Sequence, residues 1–397
     1  MTARNIRTPR TAQQGISLIE VMVGITVALL ASLVVINAFS GSEAYKRNTT
    51  GASDAQQTAG LLSAYLSRAF QESGSALVRG EGTIGCALQL TVGTEVKWPR
   101  AAAFGAPFDH VPTTLRVAPA IAIASTNADG TADSDTMVLM TGRPTASPQD
   151  YPAVFNTKLT LSPTPAILFN PSDYLLAFSD PTLPAGVSAV TDVGDCELLR
   201  VASDFAPNAL GTKSEAWGGK PVGAGKQVVE FDSNYGEPAV VTAGNNFLIR
   251  NLGAAPSFVA LARGDNATLE QINLLDGSVQ TVAENVYAIK VMYGVNEDGD
   301  GVVPSDGWVA PSGKWAADAL LDGTRANAAN ARKIVAMRIA IVVRSSQQVT
   351  ADAATPTVTL FPDLGTNKIT YTFSGAEARY QYQVYDMTVA LQNPRGL

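Results

Sequence analysis

The first fifteen positions of the chain are mostly polar. From Ile16 to Phe39 the sequence is then apolar apart from a few small polar residues and a single charge, Glu20. A helix rises about 1.5 Å per residue, so this run is long enough to cross a hydrocarbon core of about 30 Å. Polar residues return after Phe39, but Leu61, Leu62, Tyr65, Leu66, Ala69 and Phe70 still recur at helical spacing. They predict an amphipathic continuation whose apolar face reaches Phe70. Gly41, Gly51 and Gly60 argue against an unbroken helix, and Gly74 within "SGS" marks its stop.

Beyond Gly80 the period changes from that of a helix to that of a strand. In "VYAIKVMYGV", Tyr287, Ile289, Val291, Tyr293 and Val295 alternate onto one face. In "KIVAMRIAIVVRS", Val335, Met337, Ile339, Ile341 and Val343 do the same, with Arg338 and Arg344 opposite. Both patterns predict half-buried strands. "DTMVLMTG" and "DYLLAFSD" are shorter apolar runs bounded by turn residues. The last stretch alternates through Tyr380, Tyr382 and Val384, then shifts to Tyr385, Met387, Val389 and Leu391, which suggests a bulge. "KWAADALLDGTRANAANARK" has room for a short helix. The fold class expected is α+β: one long amino-terminal helix and a large, mostly antiparallel, β-rich head.

Composition agrees with a strand-rich and turn-rich body, since only 16 % of the 397 residues are charged while Gly (34) and Pro (22) are plentiful. The formal net charge is −7, with no basic block beyond the first ten residues, so nucleic-acid binding has no electrostatic support. Cys86 and Cys196 are the only cysteines and His110 the only histidine, too few in too loose a spacing for zinc. In an extracytoplasmic body the two thiols would form one disulfide; otherwise they are two buried free thiols.

Arg4, Arg7 and Arg10 precede the apolar run and would stay in the cytoplasm, placing everything after Ser40 on the outer face. A secretory signal usually has a shorter apolar region and a cleavage site behind it. Here Gly15 stands at the polar-to-apolar junction and Glu20 five residues beyond it. This stretch resembles the class III leader of type IV pilins and pseudopilins. The resemblance implies cleavage between Gly15 and Ile16 by a prepilin peptidase and N-methylation of the new terminus at Ile16. The usual first mature residue is Phe, from which Ile16 departs. The family's frequent mid-helix proline is absent, with Asn37 in its place. An ionisable group inside the membrane is a functional hypothesis by default, because it is costly unless paired. Glu20 is then read as the partner of an Ile16 ammonium on a neighbouring subunit; the bland reading is a stray acid near the headgroups.

The body also resembles a known group. "YGVNEDGDG", the following apolar strand ending in Arg344-Ser345, and the terminal "TVALQN" are similar to PilW-type minor pilins, although Gln392 stands where an arginine is common. Cys86 in "TIGC" and Cys196 in "VGDC" lie where such proteins carry a cysteine pair. The resemblance implies four parts: a cleaved leader (1–15), a transmembrane and assembly segment (16–39), an amphipathic helical continuation (40–74) and a β-rich extracytoplasmic head (75–397). Loss of the leader would leave 25 Lys and Arg against 35 Asp and Glu, a formal −10. It further implies a single-pass inner-membrane precursor that moves to the pilus fibre or tip. There it would join a minor-pilin complex that primes assembly, a head this large favouring a terminal, low-copy position. The partners implied are other minor pilins, the major pilin, the prepilin peptidase, the inner-membrane assembly platform and a large tip adhesin. The rivals are a pseudopilin of a type II secretion or DNA-uptake machine, with the same amino-terminal physics, and an anchored binding protein or hydrolase that never polymerises.

The remaining motifs carry little chemistry. In "NEDGDGVVPSD", Asn296, Asp298, Asp300 and Gly301 fit the first half of a calcium loop. Position 12 is Gly307, with Asp306 one place earlier. The alternative is an Asp/Gly-rich turn with no ion. "NADGTADSD" (127–135) fits no ligand spacing and reads as a turn. "GGKPVGAGKQ" fails a phosphate-loop pattern twice, at Lys220 and at Gln227. His110 has no serine elbow nearby in sequence. No motif supports catalysis, so the chain is expected not to be an enzyme and to need no cofactor beyond calcium at that loop.

Overall fold

The computed structural model describes residues 17–77, 83–126, 133–144, 149–155, 159–161, 169–179, 192–203, 227–229, 246–348 and 356–391. Its first element is one helix of 55 residues, α1, Leu18–Glu72. Gly41, Gly51 and Gly60 do not break it. Gly51 is the point where the helix meets the head, and a Cβ there would touch Ser345 at 3.1 Å. The helix ends where expected: Ser73 closes it, and Gly74 follows at φ +80° with its N–H on the carbonyl of Met140, 2.8 Å away.

The strands follow in chain order. The first ten are β1 Ala87–Val92, β2 Glu95–Trp98, β3 Ala120–Ile123, β4 Thr136–Thr141, β5 Asp150–Phe155, β6 Leu159–Leu161, β7 Tyr174–Ser179, β8 Asp195–Arg200, β9 Gln227–Val229 and β10 Asn246–Gly253. Next come β11 Ser257–Arg263, β12 Leu269–Asn273, β13 Val279–Ala283, β14 Val286–Val295 and β15 Trp308–Val309. Two short helices, α2 (Ala317–Leu320) and α3 (Arg325–Arg332), sit in the segment expected to hold one. The chain then closes with β16 Ile334–Arg344, β17 Thr357–Leu360, β18 Ile369–Thr372 and β19 Tyr382–Ala390.

These strands form three sheets and a hairpin. Sheet I runs β2-β1-β8-β7-β10-β5-β6-β9, sheet II runs β13-β12-β11-β4-β3, sheet III runs β15-β14-β16-β19, and β17 pairs with β18. The β1–β8 ladder is parallel. The rest of the ladders are antiparallel.

The carboxy-terminal half of α1 packs into the head through Ala55, Ala59, Leu62, Leu66 and Phe70, all buried. This stripe differs from the face expected from sequence. Leu61 is 70 % exposed, and Tyr65 sits at the margin with its hydroxyl on Gln271. The sheet surface touches the line 55-59-62-66-70, which leaves Leu61 on the outer side.

Sheet III is covered on both faces, which corrects two readings. Met337, Ile339, Ile341 and Val343 of β16 enter the main core beneath α1, as expected. The opposite face is buried too: Ala340 and Val342 lie under the β17–β18 hairpin with Leu360, Phe361 and Phe373. A register shift between Val286 and Ala288 turns Tyr287 to this second side, against Tyr371, Phe373 and Tyr382. The phase change in the last strand is no bulge, since β19 pairs with β16 in unbroken register from Tyr382 to Ala390. Tyr382 serves the hairpin side, whereas Tyr385, Met387 and Val389 serve the α1 side. Two covered faces, each claiming apolar residues, produce the shift.

Sheets II and III are joined through Tyr293. Its hydroxyl accepts the N–H of Ala122 at 2.7 Å and donates to the carbonyl of the same residue at 3.0 Å. Ala122 lies on β3, the outer strand of sheet II, so one phenol closes an otherwise open edge. Full burial pushes this hydroxyl's pKa up. Tyr293→Phe is expected to leave both backbone groups unpaired and to cost about 1–3 kcal/mol in denaturant unfolding of the full chain. A change under a few tenths would mean the edge finds another partner.

Candidate functional site

The amino-terminal half of α1 is apolar on all sides, and among the described residues nothing packs on it. Leu18, Ile19, Met22, Ile25, Leu29, Leu30, Leu33 and Ile36 are each more than half exposed. Contiguous apolar surface on this scale marks a membrane or protein interaction. By length and composition the segment suits a membrane anchor. Glu20 lies in the first turn and is exposed. The first backbone N–H groups of a helix lack intrahelical partners, so a carboxylate there is favoured by the helix dipole. Gly15 and Ile16 lie outside the described residues.

Past Phe39 the helix surface becomes polar, with Glu43 and Arg47 paired at 2.8 Å. At its far end Glu72 receives Arg68 at 2.8 Å and also Arg143 of the head. The hydrogen bond from Arg68 holds the Glu72 carboxyl below the usual range. These contacts fix the head to the helix at the rim, while the apolar stripe does so beneath.

Cys86 and Cys196 form the disulfide, with Cα atoms 5.6 Å apart and both side chains fully buried. That separation is usual for a bridge. Cys196 pairs in register with Leu88, so the bridge lies on the parallel β1–β8 ladder.

The acid-rich loop forms a turn. Asn296 is buried and its side-chain oxygen accepts the N–H of Gly299 at 2.7 Å, while Asp300 accepts the N–H of Val302 at 2.8 Å. Gly299 and Gly301 take positive φ, as tight turns demand. Among the described residues no three of His, Cys, Asp or Glu are gathered as metal ligands, Asp298, Asp300 and Asp306 included. Of "NADGTADSD", residues 127–132 lie outside the described set, as does "GGKPVGAGKQ" apart from Gln227. His110 hydrogen-bonds Ser125 Oγ at 3.1 Å.

Three charged clusters were not legible beforehand because their partners are far apart in sequence. Lys290 meets Asp135 at 2.5 Å, nearly buried on both sides. Arg250, fully buried, grips Asp150 through Nε and Nη2 at 2.7 and 2.8 Å. Arg338 is shared by Asp363 and Asp386, at 2.7 and 2.5 Å, and their hydrogen bonds raise its pKa. In sequence each is an ordinary charge within a strand or turn.

One strand of sheet I (β10), most of sheet II and all of sheet III lie in one stretch of chain. Residues 247–393 match the family model of the type IV pilus-assembly protein W. The match covers less than half of the chain and takes in β11 through β19. Over this stretch the protein is similar to a family of type IV pilus assembly. Neither a curated protein nor a solved structure matches the chain.

Proposed function

We propose that this protein is a minor type IV pilin that joins other pilins through the exposed half of α1. The observation that carries the reading is a continuity. One helix bears an unpartnered apolar half with a single acid in its first turn, and its other half is buried in a head similar to a pilus-assembly family. In this reading Gly15 marks the cut, Ile16 becomes the methylated terminus, and the arginine leader sets the head outside the cytoplasm. The disulfide is consistent with that location. The mechanism is packing and charge pairing: inserted as a precursor, the subunit would join a minor-pilin complex priming the fibre at its tip. A secretion pseudopilin would share the helix physics, but the pilus-assembly match favours the pilus.

Amino-terminal sequencing of protein from its native membrane tests the processing. A start at Ile16 is expected; Met1 retained, or a start beyond Phe39, sinks the reading. Glu20→Gln keeps shape and removes charge. The precursor should still insert and be cut, while crosslinking to partner pilins in membranes should fall about tenfold, the size of one lost charged hydrogen bond of about 1.5 kcal/mol. Equal crosslinking and piliation would show Glu20 to be a tolerated acid.

A further inference from the structure

The phase of the β16–β19 ladder can be read from its ends. Ser345 N–H donates to Gln381 O at 2.8 Å, and Leu391 N–H donates to Val335 O at 2.9 Å. Odd-numbered residues of β19 therefore bond to β16, and the even-numbered ones turn their N–H and C=O groups outward. Those groups belong to Tyr382, Val384, Asp386, Thr388 and Ala390. Among the described residues no backbone bond reaches them, and β19 ends its sheet.

Three of the other edges are protected. Tyr293 closes β3, β15 has two residues, and β2 carries Glu95 and Lys97 paired with each other. Sheets ordinarily blunt an exposed edge with lysine, proline, a bulge or shortness. β19 has nine residues, no proline, no lysine or arginine and no register shift. Its one charge, Asp386, is held by Arg338. On the outward face Val384, Thr388 and Ala390 are exposed.

We propose that this edge takes an extended segment of a different polypeptide as a fifth strand of sheet III. The occupant must supply a row of backbone donors and acceptors, with small or apolar side chains opposite Val384 and Thr388 and a neutral or basic one opposite Asp386. A second copy of this chain paired antiparallel through its own β19 does not fit. Two copies of β19 pairing antiparallel are related by a two-fold axis normal to the sheet. That operation reverses α1, which lies on the same sheet, and would send the two apolar spans in opposite directions. The inference rests on the proposed assembly role, because the occupant is a component of the pilus system.

The test uses the full chain, alone in detergent and in the assembly purified through it from native membranes. Amide hydrogen exchange is read residue by residue at 384, 386 and 388. Fast exchange alone and at least roughly tenfold slowing in the assembly are expected, as for amides gaining one bond each. Val384→Pro removes an outward N–H that β16 does not use, so the head should stay folded while partner recovery falls about tenfold. Tyr385→Pro strikes an inward N–H and should destabilise the head itself. Slow exchange in the isolated chain, or unchanged exchange in an assembly containing pilus proteins, overturns the edge proposal alone. A wild-type chain that recovers no pilus protein overturns this proposal and the assembly reading together.

Discussion

Asp135→Ala is expected to destabilise the head by about 3–5 kcal/mol, the usual result of leaving one member of a buried ion pair without the other. Asp135 immediately precedes β4 and Lys290 lies in the middle of β14, so the pair ties sheet II to sheet III. The carboxylate is fully engaged: Oδ1 meets Lys290 Nζ at 2.5 Å, and Oδ2 accepts the N–H of Val291 at 2.9 Å. Lys290 also donates to the carbonyl of Asp133 at 2.8 Å. Burial pushes the Asp135 carboxyl above its ordinary range, while the Lys290 charge and these N–H groups pull it down. Removing the acid strands an ammonium that is almost out of water. Denaturant unfolding of the full chain, followed by the fluorescence of buried Trp98 and Trp315, measures the loss. The double variant Asp135→Leu with Lys290→Met should recover most of it, because a well-packed apolar pair can replace a buried ionic one. A single variant costing under 1 kcal/mol would show that water or another group reaches the stranded charge.

Removal of the disulfide should be comparably severe. Cys86 and Cys196 are 110 residues apart, and closing a loop of that order restricts the unfolded chain by about 4–5 kcal/mol in the loop-entropy account. The closed segment contains β1 to β7, among them β3 and β4 of sheet II, and β4 contacts α1. Cys86→Ala with Cys196→Ala avoids strain from a larger residue and leaves small cavities, so most of the effect should be entropic. Unfolding of the oxidised chain, the reduced chain and the double variant distinguishes the cases. The latter two are expected to agree within about 1 kcal/mol and to fall well below the first. Oxidised and reduced curves that coincide would mean that the unfolded chain keeps this region together without the bond.

Much of the architecture was legible one segment at a time. A span without charge apart from Glu20, followed by a helical period to Phe70, specifies a long helix because each turn's preference is local. Alternation in β14 and β16 likewise specifies strands, since the pleat sends neighbouring residues to opposite faces. Gly74 stopped the helix for a backbone reason that needs no partner. The failures share one cause. The phase change in β19 was taken for a bulge because alternation shows that some face is buried without saying how many covers a sheet has. Leu61 was assigned to the buried face because a helical wheel does not fix where the sheet will touch it.

By itself the sequence determined the long helix, the change to strands and the odd position of Glu20, because each depends on residue type and short-range spacing. The tertiary structure decided which stripe of α1 is buried, that sheet III is covered twice, and that Tyr293 closes one edge while, among the described residues, β19 remains open. It also decided that Asp135 meets Lys290 and Arg250 meets Asp150. These depend on contacts between segments distant in sequence, whose free energy comes from removing both partners from water together, and no local pattern records that pairing.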